Sequence, residues 1–254
     1  MAATAHIQFS SETTALDASC CRLREISPDY PRVYAVATMA HQGKRRWWPI
    51  ASCVAGSDHQ PAHRVDRMFA RVLEDLHSPD AAALQVAAAL VHAIVGRVAA
   101  LVVTEGRAWD PGVDNLWVHM DSDNGIDWAG VVDTTLRVLP DDELAHTRGV
   151  VTLPCERALH VWTAHRCLTS LTAVRRALEL CAPVDTSRFA MLVADAVLSA
   201  VTRIPLATGM SNAVAVRRGQ GLLDAFEAAG SRCAPARPWR WPAERVARLG
   251  QPSL

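Results

Sequence analysis

Lysine is almost missing from this chain: Lys44 is the sole lysine among 26 basic residues. That bias points to a GC-rich coding genome and carries no functional meaning. It does leave every other cation with the planar, bidentate donor fork of arginine. Net charge is missing too. The 26 acidic residues cancel the 26 basic ones, so no global field draws nucleic acid or an anionic membrane. No CxxC pair occurs. The seven cysteines are an odd number and stand apart except for Cys20-Cys21. Several lie in apolar helical stretches, where a thiol behaves as a small hydrophobe, and a reduced cytoplasmic protein is expected. Between Met1 and Thr14 there is no basic segment leading into an apolar core, so no secretory signal is expected. GxSxG, P-loop and dinucleotide fingerprints are absent; Gly219-Gln220-Gly221 lacks a preceding strand and a third glycine. These absences set aside serine hydrolases, kinases and Rossmann enzymes.

What is present is apolar substance. Half of the 254 residues are hydrophobic, enough for a substantial core without disulfide or metal staples. Ala81 to Val103 is apolar enough to span a bilayer. Gln85, His92, Gly96 and Arg97 interrupt it, however, and a central arginine is costly in hydrocarbon, so a buried core helix is expected.

Residues 1 to about 30 lack strong periodicity. Val33 to Met39 has the β-branched and apolar character of a strand, and His41 to Pro49 reads as a charged, aromatic loop. His63 to His77 has helical spacing, and Ser78 with Pro79 makes a cap and first turn for the next helix. Leu116–Met120 and Ile126–Val132 flank Asn124-Gly125, a hairpin turn signal. Thr134 to Leu139 supplies a third strand. Helices follow over Cys155–Cys181, Ser187–Ile204 with an Asp185 or Thr186 cap, and Ser211–Ala229. The fold class is α+β, a predominantly helical bundle on a small antiparallel sheet. An N-terminal segment (1–80) precedes the main helical domain (81–254).

Three groups of residues could carry chemistry. His41-Gln-Gly-Lys44-Arg45-Arg46-Trp47-Trp48-Pro49 sets three cations before two tryptophans, a pattern that clamps an anion while stacking on a planar group. The plainer reading is a solvated loop with tryptophans plugging the core. Glu156 and His160 stand one helical turn apart with His165 beyond them, and an i, i+4 carboxylate and imidazole can share a proton or a metal. No spacing nominates further metal ligands. Asp121-Ser-Asp-Asn-Gly125 has its glycine fifth and Val132 at position twelve, which suits a turn better than a calcium loop.

Gly209-Met210-Ser211-Asn212-Ala213-Val214-Ala215-Val216 opens the last long helix, and Ser231-Arg232-Cys233-Ala234 follows it. In this respect the C-terminal half, from about Ala81 to Cys233, resembles the ferric-siderophore reductase (FhuF-like) family. There a helix with a Gly-Asn-small-Ser-Ala-Leu-like opening precedes a tail whose adjacent cysteines and later CxxC hold a [2Fe–2S] cluster. The resemblance implies a helix-rich body, a small sheet and a cleft for a polar, often anionic small molecule. Only Cys233 matches the tail; Ala234 follows it and no later cysteine occurs. Four thiolates or imidazoles are needed, so the departure implies a scaffold reused without the cluster and with no cofactor.

The expected function is therefore a cofactor-independent biosynthetic enzyme, or a subunit of one. It would act on a small anionic metabolite by elimination, cyclisation or group transfer. Lys44, Arg45, Arg46, Trp47 and Trp48 would bind the substrate, joined by Asn212, Arg217 and Arg218, which the resemblance places near the ligand region. Glu156, His160 and His165 would carry protons. Two alternatives stand beside it. One is a ferric-siderophore reductase with an atypical cluster. The other is a non-catalytic subunit that offers Trp239 and Trp241, between Pro235 and Pro242, to a protein partner or a second copy. Neither nucleic acid nor membrane is expected as a partner.

Overall fold

Thr14 and Asp17 open the first helix by satisfying each other's backbone. The Asp17 N–H donates to Thr14 Oγ1 at 3.1 Å and the Thr14 N–H to Asp17 Oδ2 at 3.2 Å. Helix α1 (Ala15–Ile26) follows and buries Leu16, Cys20 and Leu23 on one face. The computed structural model describes residues 14–26, 33–43, 45–55, 63–208 and 211–233, without the side chains of 63, 205–208 and 231–233. Lys44, Trp239 and Trp241 lie outside the described residues, as does the side chain of Cys233.

The segment expected as a strand over Val33 to Met39 is extended only at β1 (Ala37–Thr38), and a short 3-10 turn follows. The end of the charged loop becomes β2 (Trp47–Pro49), and Ile50 to Cys53 closes into the short helix α2. Helix α3 (His63–Leu76) leads to α4 (Pro79–Val91), whose Ser78 cap accepts from the Ala81 N–H at 3.4 Å. A π turn (His92–Gly96) joins α4 to α5 (Arg97–Glu105), which ends at Gly106 in a left-handed conformation. This continuous 27-residue helix is long and apolar enough to cross a membrane, yet 83% of its most apolar window is buried inside the protein.

The π turn places two polar side chains against the incoming chain. His92 Nε2 donates to the Val33 carbonyl at 3.0 Å, and Arg97 Nη1 donates to that of Ala35 at 2.8 Å. Both therefore hold residues 33–35 to the central helix.

The sheet is mixed, a correction to the antiparallel expectation. Strands β3 (Leu116–Met120) and β4 (Ile126–Val131) form the hairpin, with Asn124 at φ 62° and Asp121 Oδ1 accepting from the Asp123 and Gly125 N–H groups. The carboxylate is thus engaged by its own turn. Strand β2 pairs antiparallel with β3, while β1 pairs parallel with β4, giving the order β1-β4-β3-β2. The expected third strand, β5 (Leu136–Val138), leaves this sheet and pairs parallel with β6 (Val150–Thr152). Asn115 causes the departure: its Oδ1 accepts from the N–H groups of Val132 and Asp133 at 3.0 and 2.7 Å, ending β4 and turning the chain.

Three long helices complete the described residues: α6 (Glu156–Glu179), α7 (Thr186–Thr208) and α8 (Asn212–Cys233). Asp185 caps α7, accepting from the Arg188 N–H at 2.7 Å. One continuous apolar core runs from Leu16 on α1 through Ile94 and Leu101 to Phe189 and Phe226. The α+β class, helix-rich with small sheets, is therefore what the chain adopts.

Candidate functional site

Two glycines of α8 allow its neighbours to approach. A Cβ on Gly219 would collide with Val201 of α7, and one on Gly221 would lie 2.5 Å from Nδ1 of His160 on α6. The Gly219-Gln-Gly221 segment thus serves close helix packing. Helices α6 and α8 run side by side in the same direction: Glu156 meets Arg217 and Arg218, and one turn further on His160 meets Gly221.

Between them lies a cleft of about 600 Å³. Glu156 and His160 from α6 and Arg217 from α8 line it, as the sequence suggested. Glu156 Oε1 accepts from Arg218 Nε at 3.1 Å and from Arg217 Nη2 at 3.3 Å. Arg218 is the more buried of the two, and its Nη1 also donates to the Val103 and Thr104 carbonyls at 3.2 and 3.0 Å. It therefore ties the C-terminal end of α5 to the first residue of α6, neutralising exposed carbonyls at the negative end of a helix. Burial works to raise the pKa of Glu156, but the hydrogen bonds from Arg217 and Arg218 outweigh it and hold the carboxyl below its ordinary value.

His160 is 5% exposed. Burial pulls its pKa below the ordinary imidazole value; Glu156 opposes this and Arg218 reinforces it. The ring is thus neutral at neutral pH. Its Nε2 is buried without a hydrogen-bond partner among the described residues. A buried polar atom left unpaired costs about 1–3 kcal/mol.

Sequence reasoning missed the other six lining residues, and three of them shape the chemistry of the cleft. Arg157 is exposed at the mouth, Asp224 stands two turns along α8 from Arg217, and Val161 gives the wall an apolar surface that is 47% exposed. Arg157 could have been found from its place beside Glu156 in the first turn of α6. Nothing local marks Asp224, because only the pairing of α6 with α8 brings it to the cleft.

The other expected binding residues lie elsewhere. Arg45 and Arg46 are exposed, and Arg46 sits at φ 64° with its carbonyl accepting from the Met120 N–H. Trp47 is buried within the sheet, its ring 5.3 Å from that of His119 between centroids. Trp48 is half-buried, and the Arg64 guanidinium lies 3.5 Å from its ring centroid. None of these four lines the cleft. Beside Trp47, His119 Nδ1 and Asp127 Oδ1 are 2.6 Å apart, a half-buried pair that no local sequence signal marks. Asn212 is exposed at the start of α8, and His165 is exposed on α6 away from the cleft lining.

The described residues do not fit an iron–sulfur cluster. No three His, Cys, Asp or Glu side chains among them converge on one point. Burial raises the pKa of the Cys20 and Cys53 thiols to about 11 and about 12, against the thiolate form that iron requires.

No family model and no curated protein matches the chain. Among solved structures it is similar to aerobactin synthetase IucC from a hypervirulent pathotype of Klebsiella pneumoniae, at 15% identity and a TM-score of 0.42. The likeness covers 64% of this chain and 30% of that one. Membership of the ferric-siderophore reductase family is not shown by any of these comparisons, and a similarity this slight says nothing about activity.

Proposed function

We propose that the chain is a cofactor-independent biosynthetic enzyme, or a subunit of one, that holds a small polar metabolite in the α6–α8 cleft by an anionic group. The observation that carries this reading is the meeting of a neutral, buried His160 with Arg217 and Glu156 along one open cleft. Arg157 and Arg217 stand at the mouth and offer planar donor forks to a carboxylate or phosphate. His160, uncharged at neutral pH, can take a proton from the bound molecule. The arginines then face the negative charge that proton removal develops. Elimination, cyclisation and group transfer all use these two elements. Glu156 is engaged by two arginines and holds them in place, so it acts as a positioning residue, and His160 is the proton carrier. The loop at Arg45 to Trp48 is assigned no part in this cleft.

Calorimetric titration with caproate, a simple carboxylate with an aliphatic tail, tests the binding half. Saturable binding that weakens at least fivefold in the Arg157→Ala/Arg217→Ala double variant supports the reading. No binding by the wild-type protein, or equal binding by both, overturns it.

A further inference from the structure

The cleft is not uniform along its length. At the α6 N-terminal end stand Arg157 and Arg217, with the Glu156 carboxylate paired to Arg217 and to Arg218 behind it, an excess of cations over anions. One turn on are His160 and Gly221, and beyond these come Val161, Ala225 and Ala228 with the carboxylate of Asp224. Arg217 and Asp224 are seven residues apart on one helix, a rise of about 10 Å. The Asp224 carboxylate is exposed; Oδ1 accepts from Gln220 Nε2 at 2.7 Å and Oδ2 carries no described hydrogen bond. Cations thus stand at one end of the cleft and a carboxylate two helical turns along it, with Gly221 and the exposed apolar Val161 between them and Ala225 and Ala228 at and past the carboxylate.

We infer that the ligand is a bifunctional chain, with an anionic group at the Arg157–Arg217 end, a cationic amine at Asp224 and an aliphatic stretch between them. This rests on the binding mode proposed above and adds to it the class of molecule. A ligand with an anion alone leaves Asp224 facing an apolar tail, whereas an amine there gains a charge-assisted hydrogen bond. A ligand with anions at both ends places like charges together at Asp224, which is unfavourable. A spacer of about five methylene groups is of the same order as the ~10 Å helical rise between the two charges.

The test compares three six-carbon probes by calorimetry: ε-aminocaproate, caproate and adipate. The expected order is ε-aminocaproate tightest, by about fivefold over caproate as an exposed ion pair supplies, with adipate weakest. The preference for ε-aminocaproate over caproate collapses in Asp224→Asn, an exposed change that keeps the Gln220 hydrogen bond. Caproate binding as tightly as ε-aminocaproate, or an unaltered preference in Asp224→Asn, overturns this inference and leaves the anion-binding cleft standing. Failure of all three probes to bind overturns both.

Discussion

The imidazole of His160 lies against the backbone of Gly221, so closely that a Cβ at residue 221 would fall 2.5 Å from Nδ1 and 2.6 Å from Cε1. Two helices joined by no local signal are fixed in register by this contact. Gly221→Ala gains helix propensity worth up to about 1 kcal/mol but forces the ring or α8 to move, an overpacking cost of about 1–3 kcal/mol. The single variant is expected to be less stable than wild type in urea unfolding. Truncating the ring relieves the clash, so Gly221→Ala/His160→Ala is expected to be more stable than the sum of its single changes predicts.

Acidification reads the ionisation of the buried imidazoles. Burial depresses the pKa of both His160 and His92. A depressed histidine binds its proton more readily in the unfolded chain. Stability is therefore lost as pH falls from the ordinary histidine value, about 6.5, toward the lower folded values. His160→Leu removes one of these two contributions. Its stability is expected to decline less steeply than that of wild type between neutral pH and about pH 5.

Arg218 offers a second pH test, of the same sign but in a more acidic window. Glu156 is held below its ordinary pKa by Arg217 and Arg218 against the effect of burial. Its contribution is present above the ordinary carboxylate range, about pH 4.3, and is lost as pH falls through the folded value. Arg218→Ala also frees the carbonyls of Val103 and Thr104. At neutral pH the variant is expected to lose about 1.5–3 kcal/mol, the range for a charge-assisted hydrogen bond. Its deficit should narrow below about pH 4, measured by denaturant unfolding across pH.

Among the described residues, an arginine that meets three carboxylates lies away from the cleft. Arg107 is buried and donates from Nε and Nη2 to both carboxylate oxygens of Asp142 at 2.7 and 3.0 Å, and from Nη1 to Glu105 at 2.6 Å. Asp142 is itself nearly buried. Arg107→Met leaves that carboxylate without its charge partner and is expected to cost about 3–5 kcal/mol. Asp142→Asn in the same background should recover part of it, because the uncompensated charge is removed.

Much of the helical frame was legible because its signals are local. Ser78 with Pro79, Asp185 before α7 and Asn124 in the hairpin each act within four residues, and each does in the structure what its chemistry suggested. Helix α1 was missed although Thr14 and Asp17 spell a capping box, because its apolar face is only three residues deep. The fate of β5 was not legible. It depends on Asn115, some twenty residues upstream, ending β4. The cleft was half legible for the same reason. Glu156 with His160 and Arg217 with Arg218 are visible as local pairs, but their meeting depends on α7 returning the chain so that α8 lies beside α6. The tryptophan-rich loop drew attention by composition, and folding turned Trp47 into the sheet instead.

The most direct measurement is the nitrogen spectrum of histidine-labelled protein, following the His160 imidazole as caproate is added at neutral pH. The account predicts a neutral ring whose signals shift saturably with caproate, and shift far less in Arg157→Ala/Arg217→Ala. A His160 signal indifferent to caproate, or one that responds equally in the double variant, would contradict it.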